Sequence, residues 1–121
     1  MEKSYQINEY VPNRQDVVYI DFLPSIGKEI GKRRPAVVLS TQGYSKLTGL
    51  VIVTPITHAE HSAMRYSEFF VPIFNSKVDG YVNPLQIHSF DIHERNVQYI
   101  STLNGLDFFR VNNILKKILR Y

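Results

Sequence analysis

Short apolar stretches separated by polar turns fill the first hundred residues of this chain and predict a protein built mainly from β-strands. The strongest are Asp16–Phe22, Ala36–Ser40 and Leu50–Thr57, which are rich in β-branched residues. Weaker stretches of the same kind cover 68–72, 80–83, 85–90 and 96–103. Many short strands with turns between them are typical of a small antiparallel sheet or barrel.

Only the C-terminal stretch repeats its apolar residues with the period of an α-helix. They recur every three or four positions, with one extra member, as Phe108, Val111, Ile114, Leu115 and Ile118. Asn104, three residues before Asp107, predicts the N-terminal cap of this helix. The pattern therefore predicts an α+β fold, mainly β, in which one C-terminal helix packs against a curled antiparallel sheet.

The length of 121 residues predicts one domain, 1–121, with residues 1–15 as an N-terminal arm that shows no clear period. A hydrophobic share of 44% argues against disorder, and the absence of cysteine excludes disulfides and thiolate metal sites. No apolar run approaches the roughly 20 residues of a membrane span, and the first residues do not resemble a signal peptide. We therefore expect a cytoplasmic protein that does not enter a membrane.

The net charge of +3 is modest, but the positive charges are clustered. Lys28, Lys32, Arg33 and Arg34 lie within seven residues, between two predicted strands. A basic loop on a rigid scaffold suits a polyanion such as nucleic acid. A solvated loop that binds nothing would have the same composition, so the residues alone leave both interpretations open.

Several familiar catalytic patterns are missing from the sequence. The stretch around Gly27 lacks the Gly-Lys-Ser/Thr ending of a nucleotide-phosphate loop, and no nucleophile-elbow motif is present. The four histidines have neither the spacing nor the accompanying carboxylates of a zinc site. We therefore expect neither a metal ion nor a cofactor.

Metal-free cleavage of RNA requires fewer groups, because the ribose 2′-hydroxyl is already placed to attack the neighbouring phosphorus. The protein must accept a proton, stabilise negative charge and help the 5′-oxygen leave. An arginine, a carboxylate and a small hydroxyl donor would suffice, and Arg34, Glu29 and Thr57 are the candidates. Individually, each is also explained as a loop charge or a good strand former, and spacing alone does not show that they converge.

Several blocks of this sequence, in this order and spacing, resemble the MazF/PemK-type toxins of bacterial type II toxin–antitoxin systems. The matching blocks are Asp16–Phe22 with Pro24, Gly27 with Glu29, Arg34–Ser40, Tyr44, Thr48–Val53 and Pro55–Thr57. The resemblance implies a small SH3-like barrel of the CcdB/PemK type with a C-terminal helix, usually a symmetric dimer. It also implies a metal-independent, sequence-specific endoribonuclease in which Arg34, Thr57 and Glu29 are catalytic.

The same resemblance implies partners and contacts for this chain. Single-stranded RNA would be cut to leave 2′,3′-cyclic phosphate and 5′-hydroxyl ends, and a cognate antitoxin would block the groove with an acidic, initially disordered segment and bind DNA together with the toxin. The predicted RNA-binding residues are Lys28, Lys32, Arg33, Gln86 and His88. Arg33 is expected to point away from Arg34, because a residue before proline is extended and neighbours in an extended segment face opposite ways.

The sequence also departs from the family pattern. Members often carry an Asp-Gln pair followed by a basic residue, whereas this chain has Leu85, Gln86 and then His88. A catalytically weakened relative that only binds nucleic acid or antitoxin is therefore one alternative. A gyrase-poisoning toxin of the CcdB type is another, although that class depends on a C-terminal tryptophan and this chain has none.

Overall fold

The computed structural model describes residues 10–22, 32–58, 67–73 and 77–121. Within these ranges the chain forms seven strands, all paired antiparallel in one sheet. They are β1 (Asp16–Asp21), β2 (Arg33–Val38), β3 (Leu50–Thr57), β4 (Val71–Ile73), β5 (Gly80–Val82), β6 (His88–Asp91) and β7 (Gln98–Thr102). Two α-helices, α1 (Gln42–Thr48) and α2 (Gly105–Leu119), and a 3₁₀ turn (Ser67–Phe69) complete the described elements.

The sheet is curled around its longest strand, β3. The strand order is β4-β5-β3-β2-β1-β7. One edge of β3 pairs with β2, while the other pairs with β6 along its first half and with β5 along its last two residues. No ladder among the described strands joins β4 to β7, so the sheet is a half-barrel. The predicted fold, mainly antiparallel β with a C-terminal helix, is confirmed.

The two faces of the sheet bury different residues, because side chains alternate along a strand. Val17 and Val37 belong to a first core, which also contains the buried side of α2. Val18 and Val38 belong to a second core, which also contains Phe90 and Ile92 from β6 and the segment after it. The second core is the one that leads to the candidate site.

Both helices are capped as their sequences direct. The Asn104 side chain accepts a hydrogen bond from the backbone N–H of Asp107 at 2.8 Å, so the predicted cap of α2 is confirmed. Of the predicted apolar stripe, Ile118 is exposed and the other four residues are buried. None of the described helices is long and apolar enough to cross a membrane.

Three local predictions need correction. The polar segment 41–48, whose composition predicts a loop or a single helical turn, is the helix α1, capped by Thr41 and ended by Gly49 at φ 75°. The predicted strand 68–72 is a 3₁₀ turn followed by β4. The third correction concerns the start of β2 and has a larger consequence. This strand begins at Arg33, three residues before the predicted start at Ala36.

The early start of β2 follows from its pairing with β1. Asp21 lies directly across from Arg33, and Ile20 lies across from Arg34. The carboxylate of Asp21 and the guanidinium of Arg33 are 3.1 Å apart, so opposite charges stabilise the pair that opens the ladder. The two arginines therefore stand on a strand rather than on a loop.

Candidate functional site

A cavity of about 250 Å³ lies beside the end of β1, the start of β2 and the start of β6. Five of the described residues line it, and we call it the Arg34 cavity: Phe22, Lys32, Arg34, Gln86 and His88. Four of the five, all but Phe22, are residues that the sequence singled out for catalysis or RNA binding. They come from segments more than fifty positions apart in the chain, so the fold alone brings them together.

The alternation of the strands places Arg34 and His88 on one face. Arg34 precedes the second-core residue Ala36 by two positions, and His88 precedes the second-core residue Phe90 by two positions. Val53 of β3 pairs with Val38 of β2 on one side and with His88 of β6 on the other. Because side chains alternate along each strand, Arg34 and His88 both face the cavity side of the sheet.

Arg33 lies on the opposite face of the sheet, and its guanidinium is hydrogen-bonded within the protein. Its guanidinium pairs with the Asp21 carboxylate, donates to the Asn96 carbonyl at 2.8 Å and donates to the side-chain oxygen of Gln98 at 3.0 Å. It does not line the Arg34 cavity. The predicted opposite orientation of the two arginines agrees with these contacts.

Arg34, by contrast, keeps its donors free of the described protein. Among the described residues its guanidinium makes no hydrogen bond and no ion pair, and it lies 6.0 Å from the centre of the Phe22 ring. A guanidinium carries five N–H donors in a planar fork that matches two oxygens of a phosphate. A half-buried arginine with uncommitted donors at a cavity wall is suited to binding a phosphate group.

His88 is held by aromatic rings and kept uncharged by its surroundings. Its ring stacks on Phe90 at 5.3 Å and meets the edge of Phe22 at 5.1 Å. Burial lowers the pKa of His88 below its ordinary value, and the positive charges of Arg34 and Arg95 lower it further. Its Nε2 atom is buried and has no hydrogen-bond partner among the residues that the structure describes.

Two residues that support the cavity were not singled out from the sequence, Phe22 and Arg95. The Arg95 guanidinium lies 4.4 Å from the centre of the Phe90 ring and donates to the carbonyl oxygens of Asp21 and Phe22. These contacts connect the end of β1 to the side of the cavity that contains His88. No sequence signal distinguishes these residues, because each acts through contacts about seventy positions away along the chain.

Thr57 ends β3 and is not one of the cavity's lining residues. It is half-buried and pairs with Tyr81 of β5. The β2–β3 ladder ends at the pair of Ala36 with Pro55, and only a continuation of its register by two residues would set Thr57 across from Arg34. Thr57 and Arg34 are not themselves paired in that ladder.

Lys28 and Glu29, the other two residues predicted for the site, lie outside the described residues. No group of three histidine, cysteine or acidic side chains that could hold a metal ion occurs in the described ranges. The residues that the structure does assemble are thus cationic, aromatic and amide side chains around a neutral imidazole, a set that can bind a polyanion and accept one proton.

Comparison with known proteins gives consistent matches. A family model described as PemK-like, MazF-like toxin of type II toxin–antitoxin system matches residues 13–119. The endoribonuclease toxin ChpB of Escherichia coli K12 is 40% identical over 85 residues, which cover 68% of this chain and 72% of that protein. The endoribonuclease toxin MazF of the same strain is 41% identical over 51 residues, 42% of this chain and 46% of that protein.

Solved structures extend the likeness to nearly the whole chain. MazF from Deinococcus radiodurans superposes with a TM-score of 0.78 at 29% identity, covering 93% of this chain and 100% of that one. The Form-II MazE-MazF structure from the same organism gives a TM-score of 0.80 at 29% identity, covering 93% and 98%.

Proposed function

Because this chain belongs to the PemK-like, MazF-like toxins of type II toxin–antitoxin systems, we propose that it is an endoribonuclease that cleaves single-stranded RNA without a metal ion. One observation carries the proposal. Arg34 shares a cavity with Lys32, Gln86 and His88 and leaves its guanidinium donors uncommitted among the described residues. Relatives named endoribonuclease toxins support the reaction class.

In the proposed reaction the ribose 2′-hydroxyl attacks the adjacent phosphorus. The O2′–H bond breaks, the O2′–P bond forms and the P–O5′ bond breaks, which leaves a 2′,3′-cyclic phosphate and a 5′-hydroxyl. The Arg34 fork stabilises the additional negative charge on the phosphoryl oxygens, where a preorganised donor lowers the barrier most. The Thr57 hydroxyl donates a further hydrogen bond, and Glu29 supplies a carboxylate from the basic loop.

The remaining cavity residues are assigned to binding RNA. Lys32, together with Lys28, attracts the phosphate backbone without regard to sequence. Gln86 is exposed at the cavity and carries both a donor and an acceptor, which suits the edge of an unpaired base. Arg33 remains a predicted RNA contact, but a peripheral one, because its guanidinium already donates hydrogen bonds to the protein.

The proposed partner is a cognate antitoxin. Solved relatives include MazE-MazF complexes, which supports a partner of this kind for the present chain. An acidic segment that folds on binding would match the cations around the Arg34 cavity and exclude RNA from it. The antitoxin would also mediate binding to DNA, and both proteins would act in the cytoplasm.

We predict that the chain forms a homodimer at micromolar concentration. Large apolar side chains remain exposed on α2 and at the C-terminus, among them Leu106, Phe109, Leu119 and Tyr121, and a half-barrel leaves edges that association can cover. Sedimentation equilibrium is expected to give twice the chain mass of 14.1 kDa. A strict monomer at that concentration would contradict the prediction.

The enzymatic proposal itself is tested with purified protein and a long single-stranded RNA, incubated with and without a chelator. We expect discrete cleavage products in equal amounts under both conditions, because no step requires a metal ion. Binding without cleavage would identify a weakened relative that retains only the interaction surface. Cleavage that the chelator stops would contradict the mechanism.

A further inference from the structure

A buried polar atom without a partner is the least explained feature of the Arg34 cavity. The Nε2 atom of His88 is buried and makes no hydrogen bond within the described part of the chain. Most buried polar atoms have a partner, and an exception calls for a chemical reason. We propose that His88 is the general base that accepts the proton of the attacking ribose 2′-hydroxyl, an inference that rests on the proposed function of this cavity.

The ring of His88 is held in place as a proton acceptor requires. It packs between Phe90, at 15° to its plane, and the edge of Phe22 at 78°. Its backbone is fixed by pairing with Val53 in the middle of β3. Neighbouring side chains and the sheet already restrict the ring. The ring therefore loses little orientational freedom when the substrate binds.

The charges around His88 keep it in the form that accepts a proton. Arg34 faces it from β2, Arg95 from the segment after β6, and Lys32 from the rim of the cavity. No carboxylate lines the cavity among the described residues. With its pKa below the ordinary value, the imidazole is neutral at pH 7 and offers one nitrogen lone pair.

The proposed step needs only the RNA, the imidazole of His88 and water. The proton moves from O2′ to the imidazole nitrogen as O2′ bonds to phosphorus, and the new imidazolium lies beside a phosphoryl group that has gained negative charge. The attacking and leaving oxygens stand roughly in line on opposite sides of phosphorus. The departing 5′-oxygen therefore takes its proton from water, and His88 returns its proton to water afterwards.

The family resemblance implies a basic residue near this position, where this chain carries His88. A lysine or arginine is protonated at pH 7 and can only donate hydrogen bonds or neutralise charge. A neutral histidine is able to take up a proton in the same place. The substitution therefore changes the chemistry available in the cavity and not only its charge.

The test compares His88→Gln with the wild-type protein in single-turnover cleavage of RNA, with His93→Gln as the matched control. Glutamine keeps hydrogen-bonding groups but cannot accept a proton, so we expect the rate to fall by roughly 10²–10⁴-fold, the range for losing a general base. RNA affinity should fall much less than the rate, because Lys32 and Arg34 still attract the phosphate backbone. His93 is an exposed histidine five positions away, outside the cavity lining, and its substitution should leave the rate unchanged.

Two further readouts separate proton transfer from a structural effect. The wild-type rate should rise about tenfold per pH unit until it passes the pKa of His88 and then level off, and His88→Gln should lose that limb. In the unmodified protein bound to an RNA that lacks the attacking 2′-hydroxyl, an NMR titration of the His88 ring should give the same pKa as the single-turnover rate profile, since both report the complex. Free imidazole should restore part of the rate of His88→Ala, in proportion to its unprotonated fraction.

A His88→Gln rate close to wild type, or an unchanged low-pH limb in that variant, would overturn the inference and leave Glu29 as the base. So would an NMR pKa that differs from the kinetic one, which is decisive even if the variants fold poorly. In each of these cases the wild type still cleaves RNA, so the proposed function stands. A wild-type protein that does not cleave RNA would overturn both.

Discussion

Replacing Arg34 by lysine is expected to slow RNA cleavage by roughly 10²–10³-fold, the scale for removing one transition-state donor. Lysine keeps the positive charge but is a compact point charge, so it cannot bridge two phosphate oxygens as the planar fork does. RNA affinity should fall much less, because Lys28, Lys32 and Arg33 still attract the backbone. Single-turnover rates and a separate binding isotherm measure the two effects.

The adjacent residue supplies the matched control for this substitution. Arg33→Lys removes the same fork one position away, on the opposite face of β2, where the arginine is already bonded to Asp21, Asn96 and Gln98. We expect a small effect on the cleavage rate. An essential Arg33 would contradict the assignment, as would an Arg34→Lys protein that binds RNA poorly but cleaves bound RNA at a nearly normal rate.

Removing the 2′-hydroxyl from the nucleotide on the 5′ side of the cut is expected to abolish cleavage. The hydroxyl is the nucleophile of the proposed reaction, so without it no bond to phosphorus forms, whatever the state of Arg34. Its loss leaves the phosphate backbone intact, and binding to the cationic residues should persist. An otherwise identical RNA with one deoxyribose at the cleavage position is the substrate to measure.

The same substitution at a neighbouring nucleotide is the control for this experiment. It keeps the attacking hydroxyl and should leave cleavage nearly unchanged. If the RNA that lacks the hydroxyl at the cleavage position were still cut, water would be the nucleophile. The assignment of His88 and Arg34 to an intramolecular attack would then be wrong.

The elements that the sequence predicted best are those with unbroken apolar patterns. The strand β3 has the predicted bounds Leu50–Thr57, and Asn104 caps α2 as expected. The start of β2 was missed because its charges and Pro35 suggest a loop. The carboxylate of Asp21, across the ladder, stabilises Arg33 there, and Pro35 is accommodated opposite Tyr19. The pattern of residues within one segment does not show which residues of another strand it pairs with.

The candidate site was predictable to a similar extent. The family resemblance singled out Arg34, and strand alternation distinguished it from Arg33. That Gln86 and His88 share its cavity depends on the pairing of β6 with β3, which spacing along the chain does not specify. The same holds for Arg95, whose role is to bond the carbonyls at the end of β1.

The end groups of the products test the central claim most directly. Purified protein is incubated with single-stranded RNA in the presence of a chelator, and the termini are identified by mass spectrometry. Attack by the 2′-hydroxyl without a metal ion predicts 2′,3′-cyclic phosphate on one fragment and a 5′-hydroxyl on the other. Products with 3′-hydroxyl and 5′-phosphate ends, or no products until a divalent ion is restored, would contradict it.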